Sequence, residues 1–120
     1  MKILLVERND VIRRTVFYIL IKEGYKVNPA KDGAEAVKFL EEEHYDILIT
    51  NLMIAYYSGF EVISFLKSRD LQNKTSVVVF SDKLSDNNIY KIYEMGVDDM
   101  IRKPFSPAEL ICRLNKLKNK

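Results

Sequence analysis

Short apolar runs alternate with amphipathic stretches along the whole chain. Residues 2–6, 46–50 and 76–80 are apolar on both faces, which is typical of strands in a parallel sheet that helices cover on both sides. Two weaker strands are predicted at residues 25–28 and 100–102. The pattern therefore predicts five strands of a parallel sheet.

Each strand is followed by apolar side chains at helical spacing. The first helix carries them from Val11 to Leu20 and ends before Gly24. Further helices are predicted at residues 33–40, 59–69, 86–95 and 107–117, the last opening at Pro107. Right-handed crossovers with helices on both faces predict a doubly wound α/β fold, a flavodoxin-like (βα)5 sheet with strand order 2-1-3-4-5.

Composition narrows the class of protein. A hydrophobic fraction of 48% and a charged fraction of 30% fit one globular domain over residues 1–120, with residues 116–120 as the start of a linker. The net charge of +2 is too small to indicate nucleic acid binding, and the single Cys112 excludes an internal disulfide. No apolar run approaches the roughly 18 residues of a membrane span. The first strand leaves no room for a signal peptide, so we expect a cytoplasmic protein.

Polar side chains stand where the predicted strands end. Because the carboxyl ends of parallel strands meet at one edge of the sheet, we expect these side chains to converge there, although strand ends are polar in any α/β domain. The set is Glu7, Arg8, Asn51, Ser81 and Lys103. A cis bond between Lys103 and Pro104 would turn the lysine toward this cleft.

Several segments resemble a known family over essentially the whole chain. They are "KILLV", "DGAEAVKFL", "DILITN", "GFEVISFLK", "VVVFSDK", "GVDDMIRKPFSPAEL" and "CRL". They resemble the receiver domain of two-component response regulators, and most of all the receivers of winged-helix transcription regulators. The resemblance implies a non-enzymatic switch in which an aspartate ending the third strand takes phosphate from a histidine kinase, with Mg²⁺ held by acids after the first strand.

The sequence departs from this family at the phosphoacceptor. Asn51 stands at that position, and an amide cannot replace the carboxylate nucleophile. Of the acidic pair, Glu7 keeps a charge, whereas Arg8 reverses one and opposes Mg²⁺. Ser81 and Lys103 match the family's hydroxyl and lysine. We therefore expect no cofactor, with Mg²⁺ binding lost, and no phosphorylation of Asn51.

Met53 also belongs to the degenerate pocket, because its carbonyl can still be offered to a ligand. Ala55 replaces the usual proline of the loop. The switch positions are Ser81 and Met100, and Met100 replaces the aromatic residue common on the fifth strand. The charges of Glu7, Arg8, Asn51 and Lys103 sum to about +1, against about −2 in a phosphorylatable pocket. The Arg8 side chain either bonds Glu7, Asn51 or Ser81 in place of the metal or points to solvent.

Three classes of function remain. The sequence favours an atypical receiver that acts through protein contacts without phosphorylation. The alternative is an ordinary phosphoacceptor switch whose acceptor is replaced in this copy, or the N-terminal regulatory part of a DNA-binding transcription regulator. An enzyme or flavin binder on the same fold is disfavoured, because "ERND" after the first strand offers charge where a flavin phosphate needs small polar residues.

The resemblance also implies partners. These are a histidine kinase or an output domain, and a second copy bound through the fourth helix, fifth strand and fifth helix. Charged residues of both signs lie in that segment: Lys91, Glu94, Asp98, Asp99 and Arg113. Exposed ion pairs are individually weak, so we expect a weak homodimer. We expect this domain to make no direct contact with nucleic acid or membrane.

Overall fold

The computed structural model describes residues 1–82 and 86–118, without the side chains of residues 86 and 87. Five strands alternate with five helices along this part of the chain. They are β1 (Lys2–Val6), α1 (Asp10–Lys22), β2 (Lys26–Ala30), α2 (Gly33–Glu42), β3 (Ile47–Asn51), α3 (Gly59–Arg69), β4 (Ser76–Ser81), α4 (Asp86–Glu94), β5 (Asp99–Arg102) and α5 (Pro107–Lys118).

The strands form one parallel sheet in the order β2-β1-β3-β4-β5, which confirms the predicted fold. Strand β2 begins at Lys26, one residue later than predicted, because the amide of Tyr25 donates to the Leu20 carbonyl at the end of α1. It also includes Pro29, which the sheet tolerates because β2 is an edge strand.

Alternate side chains of the strands pack on opposite faces of the sheet. In β1, Leu4 and Val6 join a buried cluster with residues of α2, α3 and α4. Ile3 and Leu5 join a second cluster with residues of α1 and α5. Since helices cover both faces, the ends of the strands are the parts of the sheet open to ligands or partners.

Two local features shape the loops at the carboxyl edge. Asn9 caps α1 by accepting a hydrogen bond from the Ile12 amide at 2.9 Å, which fixes the turn that follows β1. Gly59 opens α3 directly against β3, where an added Cβ would come within 2.1 Å of the Asn51 carbonyl oxygen. The lack of a side chain at Gly59 therefore lets the loop after β3 fold back beside Asn51.

The last described residues of the chain lie in α5. Residues 116–118 belong to α5, and Leu117 is buried in the cluster beneath it. Residues 119 and 120 lie outside the described residues. Residues 116–118 thus form the end of α5, and a linker that starts in this segment stays a prediction. No helix in the described part of the chain is both long enough and apolar enough to span a bilayer.

Candidate functional site

The carboxyl ends of β1, β3, β4 and β5 bring together the side chains that the sequence singles out. A cavity of about 70 Å³ lies at this edge of the sheet. Its walls are formed by Arg8, Asn51, Leu52, Met53, Phe80, Ser81, Asp82 and Lys103. The Lys103–Pro104 bond is cis. Strand geometry thus concentrates five polar residues around one small cavity.

An ion pair between Glu7 and Lys103 lies behind this cavity. The Lys103 Nζ atom is 2.5 Å from Oε1 of Glu7. The Glu7 side chain is fully buried and the Lys103 side chain is 12% exposed. A buried carboxylate is tolerated when it is paired and hydrogen-bonded, so this lysine offsets the charge that β1 carries into the interior.

Asn51 joins this pair through both ends of its amide. The orientation that satisfies its neighbours directs Nδ2 toward Glu7, at 3.0 Å from Oε1 and 2.9 Å from Oε2. Its Oδ1 then accepts from Lys103 Nζ at 2.9 Å. The acid, the amide and the ammonium group form a closed network with no net charge.

Two residues that sequence reasoning missed hold Glu7 in place. The backbone amide of Asn9 donates to Oε2 of Glu7 at 3.0 Å. Arg13 Nη1 donates to the Glu7 carbonyl oxygen at 2.8 Å. Asn9, two residues before the apolar pattern of α1 begins at Val11, was a readable capping signal, whereas no sequence signal pointed to Arg13.

Arg8 does not take the place of a metal ion. Its side chain is exposed and borders the cavity, and it makes no hydrogen bond or ion pair within residues 1–82 and 86–118. The contacts considered for its guanidinium, with Glu7, Asn51 or Ser81, are therefore absent from the described structure. Lys103 makes the contacts with Glu7 and Asn51 instead. The side chain of Arg8 points to solvent.

The remaining pocket positions line the cavity or the core beside it. Ser81 is half-buried on the cavity wall, whereas the Met53 side chain is 75% exposed. Met100 is partly buried against the cluster beneath α3 and α4. The loop after Met53 is fixed by a hydrogen bond from the Gly33 amide to the Ala55 carbonyl, at 3.0 Å.

The donor set around the cavity does not match the preference of Mg²⁺. This ion takes oxygen ligands, mainly carboxylates and water. Both carboxylate oxygens of Glu7 already accept hydrogen bonds, and the cationic residue Arg8 is among those that line the cavity. Among the described wall residues, Asp82 is the acid, and it is exposed. Sequence reasoning did not single out Asp82.

The charged residues assigned to a dimer surface have contacts within the chain. Arg113 Nη1 lies 2.8 Å and 3.0 Å from the two carboxylate oxygens of Asp99, and this hydrogen bond raises the pKa of the guanidinium. Asp98 accepts from the Val77 amide at 2.7 Å. The Lys91 ammonium lies 4.4 Å from the centre of the Phe60 ring on α3. Most of the charged side chains assigned to the dimer surface thus already have a partner within the chain.

Comparison with known proteins agrees with this architecture. The family model of the response regulator receiver domain matches residues 3–115. The transcriptional regulatory protein SrrA of Staphylococcus aureus is 31% identical over 116 residues, which cover 97% of this chain and 47% of that protein. A protein of Pyropia yezoensis named a probable transcriptional regulator, ycf29, is 30% identical and is covered to 52%. The chain therefore spans about half the length of these curated relatives.

Solved structures agree as well. The receiver domain of the Francisella response regulator 1452 superposes with a TM-score of 0.87 at 28% identity, with 99% of this chain and 98% of that chain covered. The family match extends from the second residue of β1 into α5 and so includes every strand end that borders the cavity. The chain belongs to the response regulator receiver domain family of two-component signalling.

Proposed function

We propose that this receiver domain acts without phosphorylation and signals through protein contacts. The observation that carries the proposal is the closed network of Glu7, Asn51 and Lys103. It occupies the position where the family resemblance implies a phosphoaccepting aspartate. The network supplies an amide there, already hydrogen-bonded at both ends.

Chemical considerations support the loss of phosphoryl transfer. Attack on a phosphoryl group at this position requires a carboxylate, and Asn51 offers an amide nitrogen and a carbonyl oxygen that are poor nucleophiles. Mg²⁺ would have to displace Lys103 from Glu7 and accept Arg8 as a neighbour. Because both changes are electrostatically unfavourable, we infer that the metal does not bind.

Protein contacts remain available on the surface of α4, β5 and α5. Glu94 and Arg113 lie there, and Tyr93 on α4 adds an aromatic side chain that is 52% exposed. Aromatic and arginine side chains are enriched at protein interfaces. We propose that this surface binds a second copy weakly and does so without a phosphorylation signal. The histidine kinase or output domain that the family implies is the other candidate partner.

Acetyl phosphate tests the proposal directly. The intact chain is incubated with acetyl phosphate and Mg²⁺, and its mass is measured before and after. We expect no gain of a phosphoryl group. The doubly substituted chain Arg8→Asp with Asn51→Asp is the matched positive control, because it restores both acids. A phosphoryl group gained by the unsubstituted chain and mapped to Asn51 would overturn the proposal.

A second candidate function is the N-terminal regulatory part of a DNA-binding transcription regulator. Two observations favour it. The curated relatives are named transcriptional regulators, and this chain spans only about half of their length. The coding sequence beyond residue 120 tests it. An open reading frame that continues into a winged-helix domain would support this reading, and a stop codon after residue 120 would exclude it.

A further inference from the structure

Asn51, Lys103 and Glu7 are the three groups that a covalent amide link between side chains requires. We propose that Lys103 and Asn51 form an isopeptide bond, with Glu7 carrying the protons. The inference uses the same network as the proposed function but goes beyond it, because phosphorylation can be absent with or without the link.

The geometry places the reacting groups in contact. Lys103 Nζ lies 2.9 Å from Oδ1 of Asn51, so the amine is next to the carbonyl group that it would attack. Oε1 of Glu7 lies 2.5 Å from the same amine. Both Glu7 oxygens are within 3.0 Å of Nδ2, the nitrogen that would leave. One carboxylate thus reaches the nitrogen that loses protons and the nitrogen that gains one, as a general base and acid must.

The reaction balances without any added reagent. The Lys103 ammonium first gives one proton to Glu7, and the free amine attacks Cγ of Asn51 to form a tetrahedral intermediate. A second proton passes from the attacking nitrogen to Nδ2 through the same carboxylate. The Cγ–Nδ2 bond then breaks, ammonia leaves, Glu7 keeps the proton that it holds, and a secondary amide joins Nζ to Cγ. No atom is oxidised or reduced, the product besides the link is one molecule of ammonia, and the buried acid is left neutral.

Burial favours this reaction over hydrolysis. The Glu7 side chain is fully buried, Asn51 is 7% exposed, and Leu52 and Phe80 contribute apolar wall to the same cavity. A site with little water tolerates the neutral amine and the neutral acid better than separated charges. Holding two reactants in contact also removes most of the entropic cost of bringing them together.

The residue types fit this reaction better than they fit phosphoryl transfer. An amide at position 51 can release ammonia, whereas an ionised carboxylate there would resist attack by an amine. One acid suffices, which agrees with Glu7 being buried and Arg8 lying in solvent. The link would join the last residue of β3 to the residue that follows β5, and it would close the site permanently to Mg²⁺ and phosphate.

Mass spectrometry of the intact chain tests the link. We expect a mass lower than that of the sequence by one ammonia. Tryptic digestion should then give a branched peptide in which residues 39–67, which contain Asn51, are joined to residues 103–113 through Lys103. Lys103→Arg and Glu7→Gln should both show the full mass and no branched peptide, and thermal unfolding of each variant verifies that it is folded.

The outcomes separate this inference from the proposed function. Full mass in the unsubstituted chain after prolonged incubation would overturn the link, while the acetyl phosphate experiment would still decide the proposed function. An ammonia loss that persists in Lys103→Arg would assign it to a succinimide of Asn51 with its own backbone and would also overturn the link. If Glu7→Gln fails to fold, Lys103→Arg and the branched peptide still decide.

Discussion

The ammonium of Lys103 lies 2.5 Å from a carboxylate oxygen of Glu7, which has no exposed side-chain surface. Lys103 directly follows β5 and Glu7 directly follows β1. Asn51 is the last residue of β3, the strand between β1 and β4, and it hydrogen-bonds to both Glu7 and Lys103. The lysine is thus the counter-ion of the buried acid in this structure, and the amide at position 51 brings no second carboxylate to compete for it.

Lys103→Met tests the energetic role of that pair. The substitution leaves the Glu7 carboxylate buried without its cation, and removing one partner of a buried pair typically costs about 3–5 kcal/mol. Urea unfolding should show a loss of this size. Lys38→Met on the exposed surface of α2 is the matched control and should stay within about 0.5 kcal/mol of the parent chain.

The same experiment includes a variant that restores electrostatic balance. Lys103→Met combined with Glu7→Met removes both charges, and well-packed apolar replacements of buried pairs are often neutral. We expect the double variant to recover most of the stability lost by Lys103→Met. A Lys103→Met chain no less stable than the Lys38→Met control would show that Glu7 does not depend on this lysine.

Tyr45 makes stability depend on pH in the alkaline range. Burial raises the pKa of its phenol above the ordinary value of 10.0, and the hydrogen bond from Asn28 Nδ2, at 2.7 Å, opposes part of this rise. The unfolded chain therefore loses this proton at a lower pH than the folded chain. The stabilisation by Tyr45 is fully present below pH 10.0 and is lost as the pH rises through the folded pKa.

Tyr45→Phe should change both the free energy of unfolding at neutral pH and its dependence on pH in the alkaline range. Loss of the hydrogen bond with Asn28 is expected to cost about 0.5–1.5 kcal/mol at neutral pH. Above pH 10.0 the variant should lose stability less steeply than the parent, because the phenylalanine has no proton to release. Urea unfolding at both pH values measures this, with Tyr18→Phe on the exposed face of α1 as control. Equal alkaline slopes in parent and variant would contradict the assignment.

The proposed dimer depends on a charge that is already paired within the chain. Arg113→Glu would place a carboxylate beside Asp99 and Glu109, which now lie 2.8 Å and 3.4 Å from the guanidinium. Like charges on β5 and α5 should weaken self-association several-fold in sedimentation equilibrium. Arg14→Glu on the exposed part of α1 makes the same charge change elsewhere and should leave association unchanged. A monomer at every accessible concentration, or equal effects of the two variants, would contradict this prediction.

The sequence was sufficient to predict the fold because its signals are local and repeated. Strands that are apolar on both faces, glycines after the first and fourth helices and Pro107 at the start of α5 each indicate an element independently. The positions of polar residues at strand ends follow from the topology. Strand β2 was displaced because its start depends on how α1 ends, which is a tertiary detail.

The contacts inside the site were harder to predict. Arg8 and Lys103 carry the same charge, and the sequence gives no reach or direction for either side chain. In the structure Lys103 lies against Glu7 directly after β5, while Arg8 lies beyond the end of β1 with solvent beside it. Long side chains choose among partners by geometry, and that geometry is set by elements far apart in the chain.

The last prediction separates the loss of one residue from the loss of a site. If Asn51 were the only defect, Asn51→Asp would restore phosphorylation, because Glu7, Ser81 and Lys103 are in place. We expect that it does not. The new carboxylate would lie about 2.9 Å from the Lys103 ammonium, and an opposite charge at such a distance holds a carboxylate in an ion pair. Two unit charges about 4 Å apart attract by about 4 kcal/mol at an effective dielectric of about 20.

Metal binding needs a second acid beside Glu7. The family resemblance places that acid at position 8, where this chain has an arginine. Arg8→Asp with Asn51→Asp supplies both carboxylates, so Mg²⁺-dependent labelling by acetyl phosphate should appear in the double variant and be absent from either single one. Intact mass with and without a chelator measures the labelling. Arg14→Asp with Asn51→Asp is the matched control, because it makes the same change of charge on α1, away from the cavity. Because the Arg8 side chain already lies in solvent, full labelling of Asn51→Asp alone would mean that Glu7 and the new aspartate hold the metal by themselves. The site would then be one substitution away from an active phosphoacceptor.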